Sequence, residues 1–461
     1  MNRIISLLVI GIFVINGIEI GSSQIRKSVI LVNEMNGIEE YDFVIITSNR
    51  FRSEIIPLID FKSNYNIKTH IKTTEEICGE FKGLDRPEKI KNFIIHAKEH
   101  WNISYVMLVG NTLQVPTREC FNDDGFLPTS VFFPSDLYYA DLYDENGNYS
   151  DWNADNDKYF GEWHMNCSAE DAGINLIPDI AIGRLVCNTR FELRMAIQKI
   201  MDYENKNHKN EEWFNTMVVA GGDTYSEANG YYGENYEKFE GEVNTKMALE
   251  TMKGFKQVKI WGSNNNLDFF GFNILQGINN GCGFLYLSGH GNPKIWTTSD
   301  TKGNSTTITT LHSNLFINNE KLPVCILGGC QNCRFDFIGL NPVLKNKIPI
   351  FITDCLGWSL TNKLNGGMIA TIGCTDLSWL GLEFTSMKGG SNWLELGFFK
   401  EYQKGIDTIG DIWKNVITQY VQNFTIDWND QSLCDSSLHA KTVQQWVLFG
   451  DPTLKIGGYG G

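Results

Sequence analysis

Two apolar runs, each halting at a reactive side chain, constrain this chain more than any other feature: Phe284-Leu-Tyr-Leu-Ser-Gly-His290-Gly291 and Val324-Cys-Ile-Leu-Gly-Gly-Cys330. Short apolar runs that close on small residues read as core strands of an α/β sheet. Such sheets carry their chemistry beyond the carboxyl ends of parallel strands. His290 and Cys330 are therefore expected to share one crevice at one rim of the sheet. A free thiol, with a pKa of about 8.5, is mostly protonated at neutral pH, and an imidazole that accepts its proton makes it a nucleophile. Gly291 has no Cβ, so a backbone N–H there can close on a substrate carbonyl and hold an oxyanion together with the N–H of Cys330. The plain alternative is a core histidine beside a structural thiol. Placement of both residues at strand ends argues against it.

The rest of the chain supplies the scaffold. Phe43 to Thr47 and Tyr105 to Val109 read as strands, and between them a helix begins near Asp85 and Pro87 with Ile90, Phe93, Ile94, Ala97 and Trp101 on its buried face. Thr189 with Glu192 forms a capping box for a helix whose apolar stripe runs through Leu193, Ile197, Ile200 and Met201. Met217–Ala220, Val258–Trp261, Phe284–Leu287, Val324–Leu327 and Met368–Ile372 then read as successive strands with helices between. The fold class is thus α/β, a mostly parallel sheet flanked by helices and preceded by a smaller α/β subdomain. The domain reading is a signal segment at 1–23, a polar lead-in at 24–40, an N-terminal subdomain at 41–188, a linking helix at 189–210, a catalytic domain at 211–456 and a Gly-rich tail at 457–461. A chain of 461 residues exceeds what one core usually fills, which favours two packed parts.

Met1-Asn-Arg3, the apolar run Ile4 to Ile15, and Gly21-Ser22-Ser23 form a positive start, a core and a small-residue cleavage region. The apolar run is short for a membrane span, although Ile18 and Ile20 leave an uncleaved anchor open. No later segment reads as transmembrane, so export to the cell surface or the medium is expected. A net charge of −15 argues against nucleic-acid partners and anionic membranes. Eleven cysteines leave at least one thiol unpaired. Cys330 and Cys333 make a Cys-x-x-Cys, the spacing of thiol–disulfide oxidoreductases, but no partner His-Gly is needed in that fold. Cys333 reads as a buried thiol under the loop, or as a regulatory partner of Cys330. A zinc site lacks a second Cys-x-x-Cys within range.

Asp151, Asn153, Asp155, Asp157, Tyr159 and Glu162 place oxygen donors at nearly alternate positions across a twelve-residue loop, a pattern suited to a hard cation such as calcium. Asn156 stands where the tight turn usually has glycine, and asparagine tolerates the left-handed conformation. No helical flanks are evident, and a polar surface turn is the alternative. Calcium here is read as structural, and no organic cofactor is expected. His96 and His100 sit one helical turn apart without the glutamate of a zinc-protease motif and read as solvated helix residues.

Ser288-Gly-His290-Gly followed by Trp296, with the apolar strand ending in Cys330, resembles the gingipain-type cysteine peptidases, relatives of caspases and legumains. Asp179-Ile-Ala-Ile-Gly-Arg184, Gly367-Met-Ile-Ala-Thr-Ile-Gly373 and Phe449-Gly-Asp-Pro-Thr453 agree in order and spacing, and the similarity covers roughly residues 40 to 456. The resemblance implies a caspase-like fold and an exported cysteine endopeptidase acting on protein or peptide substrates through an acyl-enzyme. Cys330 would be the nucleophile and His290 the proton shuttle, with Gly291 in the oxyanion hole. Asp223, closing Val218-Val-Ala-Gly-Gly-Asp223, falls where the family has an acidic residue near its histidine, and a loop-capping aspartate is the alternative. Trp379 falls near the family's aromatic wall of the primary pocket, after a loop one residue shorter. No acidic floor selecting Arg or Lys can be singled out among Glu234, Glu237, Glu240 and Glu242. Calcium binding also fits the family. Compared with secreted members, the chain is expected to lack a long pro-segment and an appended C-terminal domain. The rival readings are a non-catalytic surface binding module of the same fold and a Cys-x-x-Cys oxidoreductase.

Overall fold

Short β-rich runs alternating with amphipathic helices build one ten-stranded sheet in the computed structural model. It describes residues 40–125, 131–171, 173–223, 239–336, 354–380, 389–429 and 435–460. The signal segment and nearly all of the polar lead-in lie outside the described residues, as do Glu234 and Glu237. The strands are β1 (Phe43–Thr47), β2 (Thr69–Thr73), β3 (Tyr105–Val109), β4 (Arg118–Phe121), β5 (Phe132–Ser135), β6 (Ala181–Leu185), β7 (Thr216–Gly221) and β8 (Lys256–Trp261). They continue as β9 (Phe284–Ser288), β10 (His290–Asn292), β11 (Ile295–Ser299), β12 (Ser305–Thr309), β13 (Val324–Gly328), β14 (Ala370–Cys374) and β15 (Trp446–Phe449). The helices are α1 (Arg52–Ser63), α2 (Thr74–Glu80), α3 (Arg86–Trp101), α4 (Arg190–Glu204), α5 (Glu240–Thr251), α6 (Phe272–Asn280), α7 (Leu356–Thr361), α8 (Ser391–Gln403), α9 (Ile409–Asn423) and α10 (Asp435–Gln444).

The sheet order is β2-β1-β3-β6-β15-β14-β13-β9-β7-β8. Every pairing in it is parallel except β14–β15, so two parallel half-sheets run in opposite senses and meet at that seam. β1, β7, β9, β13 and β14 are buried along their whole length, which is why they read as unbroken apolar runs. The N-terminal and C-terminal halves of the chain therefore share one sheet. β14 starts at Ala370, later than the run beginning at Met368, because Gly367 adopts a left-handed turn conformation at φ 75°.

Local signals explain the helices beside the sheet. Asp85 accepts a hydrogen bond from Glu88 N at the start of α3, with Pro87 in its first turn, and Ile90, Phe93, Ile94 and Ala97 face the core. Thr189 caps α4 by accepting from Glu192 N, but the Glu192 carboxylate takes Asn188 N, so the expected capping box is not reciprocal. His96 and His100 stack on each other along α3, ring centroids 4.1 Å apart.

Two buried charge arrangements join distant parts of the chain. Lys62 of α1, fully buried, pairs with Glu204 of α4 at 2.6 Å and with Asp451 of the Gly450-Asp-Pro452 turn at 2.8 Å. Arg184, also fully buried, donates to both carboxylate oxygens of Asp136 at 2.6 and 2.7 Å and to the Val115 carbonyl. The Asp179–Arg184 and Phe449–Thr453 blocks thus have structural work: β6 and β15 pair through Arg184 and Phe449.

Candidate active site

The register of three adjacent strands brings the key side chains level. Leu287 of β9 lies opposite Leu327 of β13 on one side and Ala220 of β7 on the other. Three residues onward, the three strands reach His290, Cys330 and Asp223. One apolar pattern thus delivers a thiol, an imidazole and a carboxylate to the same rim.

Close backbone contacts fix these strand ends. Gly289 N donates to Gly328 O at 3.1 Å, Trp296 Nε1 donates to the same carbonyl at 3.0 Å, and the indole of Trp296 is fully buried. A Cβ on Gly289 would lie 2.5 Å from Thr297 O, and one on Gly222 would lie 2.0 Å from Ser299 O. The Gly-Gly before Asp223 therefore lets β7 approach β11, and Asp223 N donates to Ser299 O at 2.7 Å. The hairpin β10–β11 turns through Pro293 and Lys294, with Asn292 opposite Ile295. In a two-residue hairpin that closing pair is hydrogen-bonded, so the next pair, Gly291 and Trp296, leaves the Gly291 N–H outside the ladder.

His290 and Cys330 line one small cavity of about 30 Å3, together with Ser288, Ser378, Glu240 and Glu395. Cys330 Sγ accepts from Ser378 N at 3.4 Å. Burial pushes the Cys330 thiol up and the His290 imidazole down from their ordinary values, while the Ser378 N–H and Lys441 draw the thiol back. Both directions favour a neutral thiol–imidazole pair before substrate arrives.

The loop that carries Cys330 takes a strained shape. Gln331, next to Cys330, has φ 58°, and Asp376 restrains it: its main-chain carbonyl accepts from Gln331 N at 2.9 Å and its carboxylate from Gln331 Nε2 at 3.1 Å. Arg334 and Lys441 pair with the same carboxylate. Lys441 also pairs with Asp124 at 2.7 Å, and Asp124 accepts from Trp379 Nε1 at 3.1 Å. Trp379 stands between Ser378 and Leu380, two residues that line the cavity.

Other expected positions divide. Asp223 is buried, and burial, with a smaller contribution from the Asp223 charge, raises the pKa of Glu242. The Glu242 carboxylate is taken by the Ser263 N–H and hydroxyl. Glu240 does line the cavity. So does Glu395 of α8, which no sequence motif singles out: it is buried, accepts from the Tyr286 hydroxyl, and burial raises its pKa to about 7. Asn332, Asp376, Ser378 and Lys441 were equally invisible, because each acts through contacts made across the sheet. Cys333 is fully buried, and its sulfur packs against Gly357 and Gly373, where a Cβ would lie 2.4 and 2.8 Å from it.

The acidic loop folds differently from a simple twelve-residue cage. Asp155, Asp157 and Glu162 bring carboxylate oxygens within 4.8 Å of one another, and Glu162 forms a second such group with His164 and Glu170. Asp151 instead accepts from Asn153 N, the Asn153 amide donates to Asp157 O, and the Tyr159 ring packs on Phe121. Asn156 takes the left-handed conformation at φ 62°. Glu162 is buried, one of its oxygens has no hydrogen-bond partner, and burial and then Asp157 raise its pKa. Such a carboxylate among others fits a cation. Cys167, close by in sequence, is disulfide-bonded. Among the described residues, no helix is long and apolar enough to cross a membrane.

The profile of peptidase family C25 matches residues 38–457. Gingipain R2 of Porphyromonas gingivalis is 21% identical over 443 residues, covering 95% of this chain and 49% of the relative. Gingipain R1 of Porphyromonas gingivalis is 20% identical over 414 residues, covering 90% of this chain and 34% of the relative. The chain thus spans about half or less of these relatives. Among solved structures, the Arg-specific cysteine proteinase gingipain R (RGPB) superposes with a TM-score of 0.61 at 17% identity, over 91% of this chain and 79% of that one. The complex of Porphyromonas gingivalis RgpB pro- and mature domains gives 0.60 at 16% identity, over 90% and 79%. The fold is the caspase-like arrangement of those proteinases.

Proposed function

This chain belongs to peptidase family C25, and from that premise we propose that it is an exported cysteine endopeptidase working through a Cys330–His290 pair and an acyl-enzyme. The observation that carries the reading is the common cavity of the two side chains at register-matched strand ends. His290 takes the thiol proton as Cys330 attacks the scissile carbonyl, forming the C–S bond. The N–H groups of Gly291 and Cys330 hold the oxyanion of the tetrahedral intermediate. His290 then protonates the leaving amine, and later deprotonates the water that cleaves the thioester and restores the thiol. Asp223, level with His290 on the neighbouring strand, orients the imidazole.

Trp379, between Ser378 and Leu380 in the chain, would wall the substrate cleft next to the cavity that those two residues line. The carboxyl groups of Glu240 and Glu395 give the cavity an acidic lining, which favours a basic side chain at P1. One structural relative is itself named as an Arg-specific proteinase. Calcium is bound by Asp155, Asp157 and Glu162, with His164 and Glu170 beside them, and stiffens the N-terminal part without entering the chemistry. The Cys167 disulfide supports an oxidising, extracellular compartment. The buried position of Cys333 disfavours the Cys-x-x-Cys redox reading.

Fluorogenic peptide amides with Arg, Lys, Leu or Asp at P1, incubated with the purified chain with and without calcium, test the proposal. Hydrolysis of the basic substrates that is lost in Cys330→Ala supports it. Absence of turnover in both conditions would leave a binding module of the same fold.

A further inference from the structure

Building on the peptidase reading, we propose that Asn332 is a positioning residue that sets the Gly291 N–H against the nucleophile loop. Asn332 lies two residues past Cys330 and is fully buried. Its Nδ2 donates to Asn292 O at 2.7 Å and to Ile295 O at 2.8 Å, the two carbonyls that flank the Pro293-Lys294 turn. Its main-chain carbonyl accepts from Gly357 N at 2.9 Å, which anchors the residue to α7.

The other end of the amide occupies the space of two missing side chains. An ideal Cβ on Gly291 would stand 2.4 Å from Asn332 Oδ1, and one on Gly329 would stand 2.6 Å from the same oxygen. The residue after the histidine and the residue before the nucleophile are thus both glycine for one reason: a single amide sits between their Cα atoms. Both proposed oxyanion donors, the N–H groups of Gly291 and Cys330, belong to segments that this amide spaces.

Packing alone would not select asparagine here. Oδ1 is buried and has no hydrogen-bond partner. Leaving such an acceptor unsatisfied costs about 1–3 kcal/mol, which an apolar residue of similar size would avoid. The two Nδ2 bonds are what the amide supplies, and both are made to the turn that carries Gly291. The turn has a second anchor, Leu356 N to Pro293 O at 2.7 Å, so loss of Asn332 loosens the hairpin without releasing it.

This role separates two reactions of the same thiol. Amide hydrolysis passes through an oxyanion, and losing one well-aimed donor lowers kcat by about 10²–10³-fold. Alkylation of Cys330 by iodoacetamide forms a C–S bond with loss of iodide and no oxyanion. In Asn332→Ala, kcat on a fluorogenic peptide amide should fall by about that factor with KM changed less than about threefold. The alkylation rate of Cys330, followed by mass mapping, should stay within about threefold of wild type. Asn332→Ser, which keeps a small donor, provides the same pair of readouts should the alanine variant fail to fold. A parallel fall of hydrolysis and alkylation would overturn the role, since it marks a general collapse of the site, and so would unchanged hydrolysis. Failure of the underlying peptidase reading looks different: the wild-type chain itself would show no hydrolysis dependent on Cys330.

Discussion

Gly291→Ala tests the geometry of the oxyanion hole from the opposite side. The added Cβ would stand 2.4 Å from Asn332 Oδ1, 2.6 Å from Nδ2 and 2.7 Å from Cγ, all inside the distance real side chains tolerate. Either the hairpin recoils from the nucleophile loop or the Asn332 amide moves and gives up its bonds to Asn292 O and Ile295 O. Each bond contributes about 1 kcal/mol net and both carbonyls keep their partners in the hairpin, so the relaxed variant is destabilised by about 2 kcal/mol and should still fold. The catalytic cost is larger in effect: displacing one oxyanion donor is worth about 3–4 kcal/mol of transition-state stabilisation, a fall of about 10²–10³ in kcat. The assay is steady-state hydrolysis of a peptide amide by Gly291→Ala, Asn332→Ala and the double variant. In the double variant the Cβ has room, so the two losses should not multiply. Wild-type kcat in Gly291→Ala, or a double variant as slow as the product of the two single effects, would refute the steric coupling.

Other consequences follow from the same structure. Burial lowers the His290 pKa below its ordinary 6.5 and raises that of Cys330 above 9.0, so kcat/KM should climb to a plateau with a midpoint below pH 6.5 and stay level toward pH 9.0; an acid limb centred well above 6.5 would contradict the neutral pair. Lys62→Met leaves the buried carboxylates of Glu204 and Asp451 without their cation, and should cost about 3–5 kcal/mol in urea unfolding; a change under about 1 kcal/mol would show that the triad is not what joins α1 to the C-terminal turn. Calcium should raise the Tm of the wild-type chain and do so much less in Glu162→Gln, whereas equal shifts in both would move the cation elsewhere.

The parts of the fold visible in the sequence were those written in local pattern. β1, β3, β7, β9 and β13 are buried on both faces, so each is an apolar run, and the run boundaries put His290 and Cys330 beyond strand ends. The antiparallel seam was hidden, because Trp446–Phe449 has the same short apolar composition whichever way it runs, and its partner is fixed by the tertiary structure. The small sheet β10–β12 is rich in Thr and Ser and carries no apolar alternation strong enough to mark it. At the site, a thiol and an imidazole stand out by their own chemistry, whereas Asn332, Asp376 and Glu395 are marked only by partners such as Asn292, Gln331 and Tyr286, 40 or more positions away in the chain. The acidic cluster shows the same limit: spacing singles out Asp155, Asp157 and Glu162, but His164 and Glu170 approach Glu162 only by folding back, and the Asp151 carboxylate accepts from Asn153 N.

The claim on which the rest depends is that Cys330 and His290 act on one another. It is tested most directly by measuring peptide-amide hydrolysis in Cys330→Ala and His290→Ala, alongside labelling of each chain with a peptidyl acyloxymethyl ketone and mapping of the modified thiol. The expected result is label on Cys330 alone, its loss in Cys330→Ala, its marked slowing in His290→Ala, and hydrolysis abolished in both. Turnover that persists in either variant, or label that falls on Cys333, would contradict the pair.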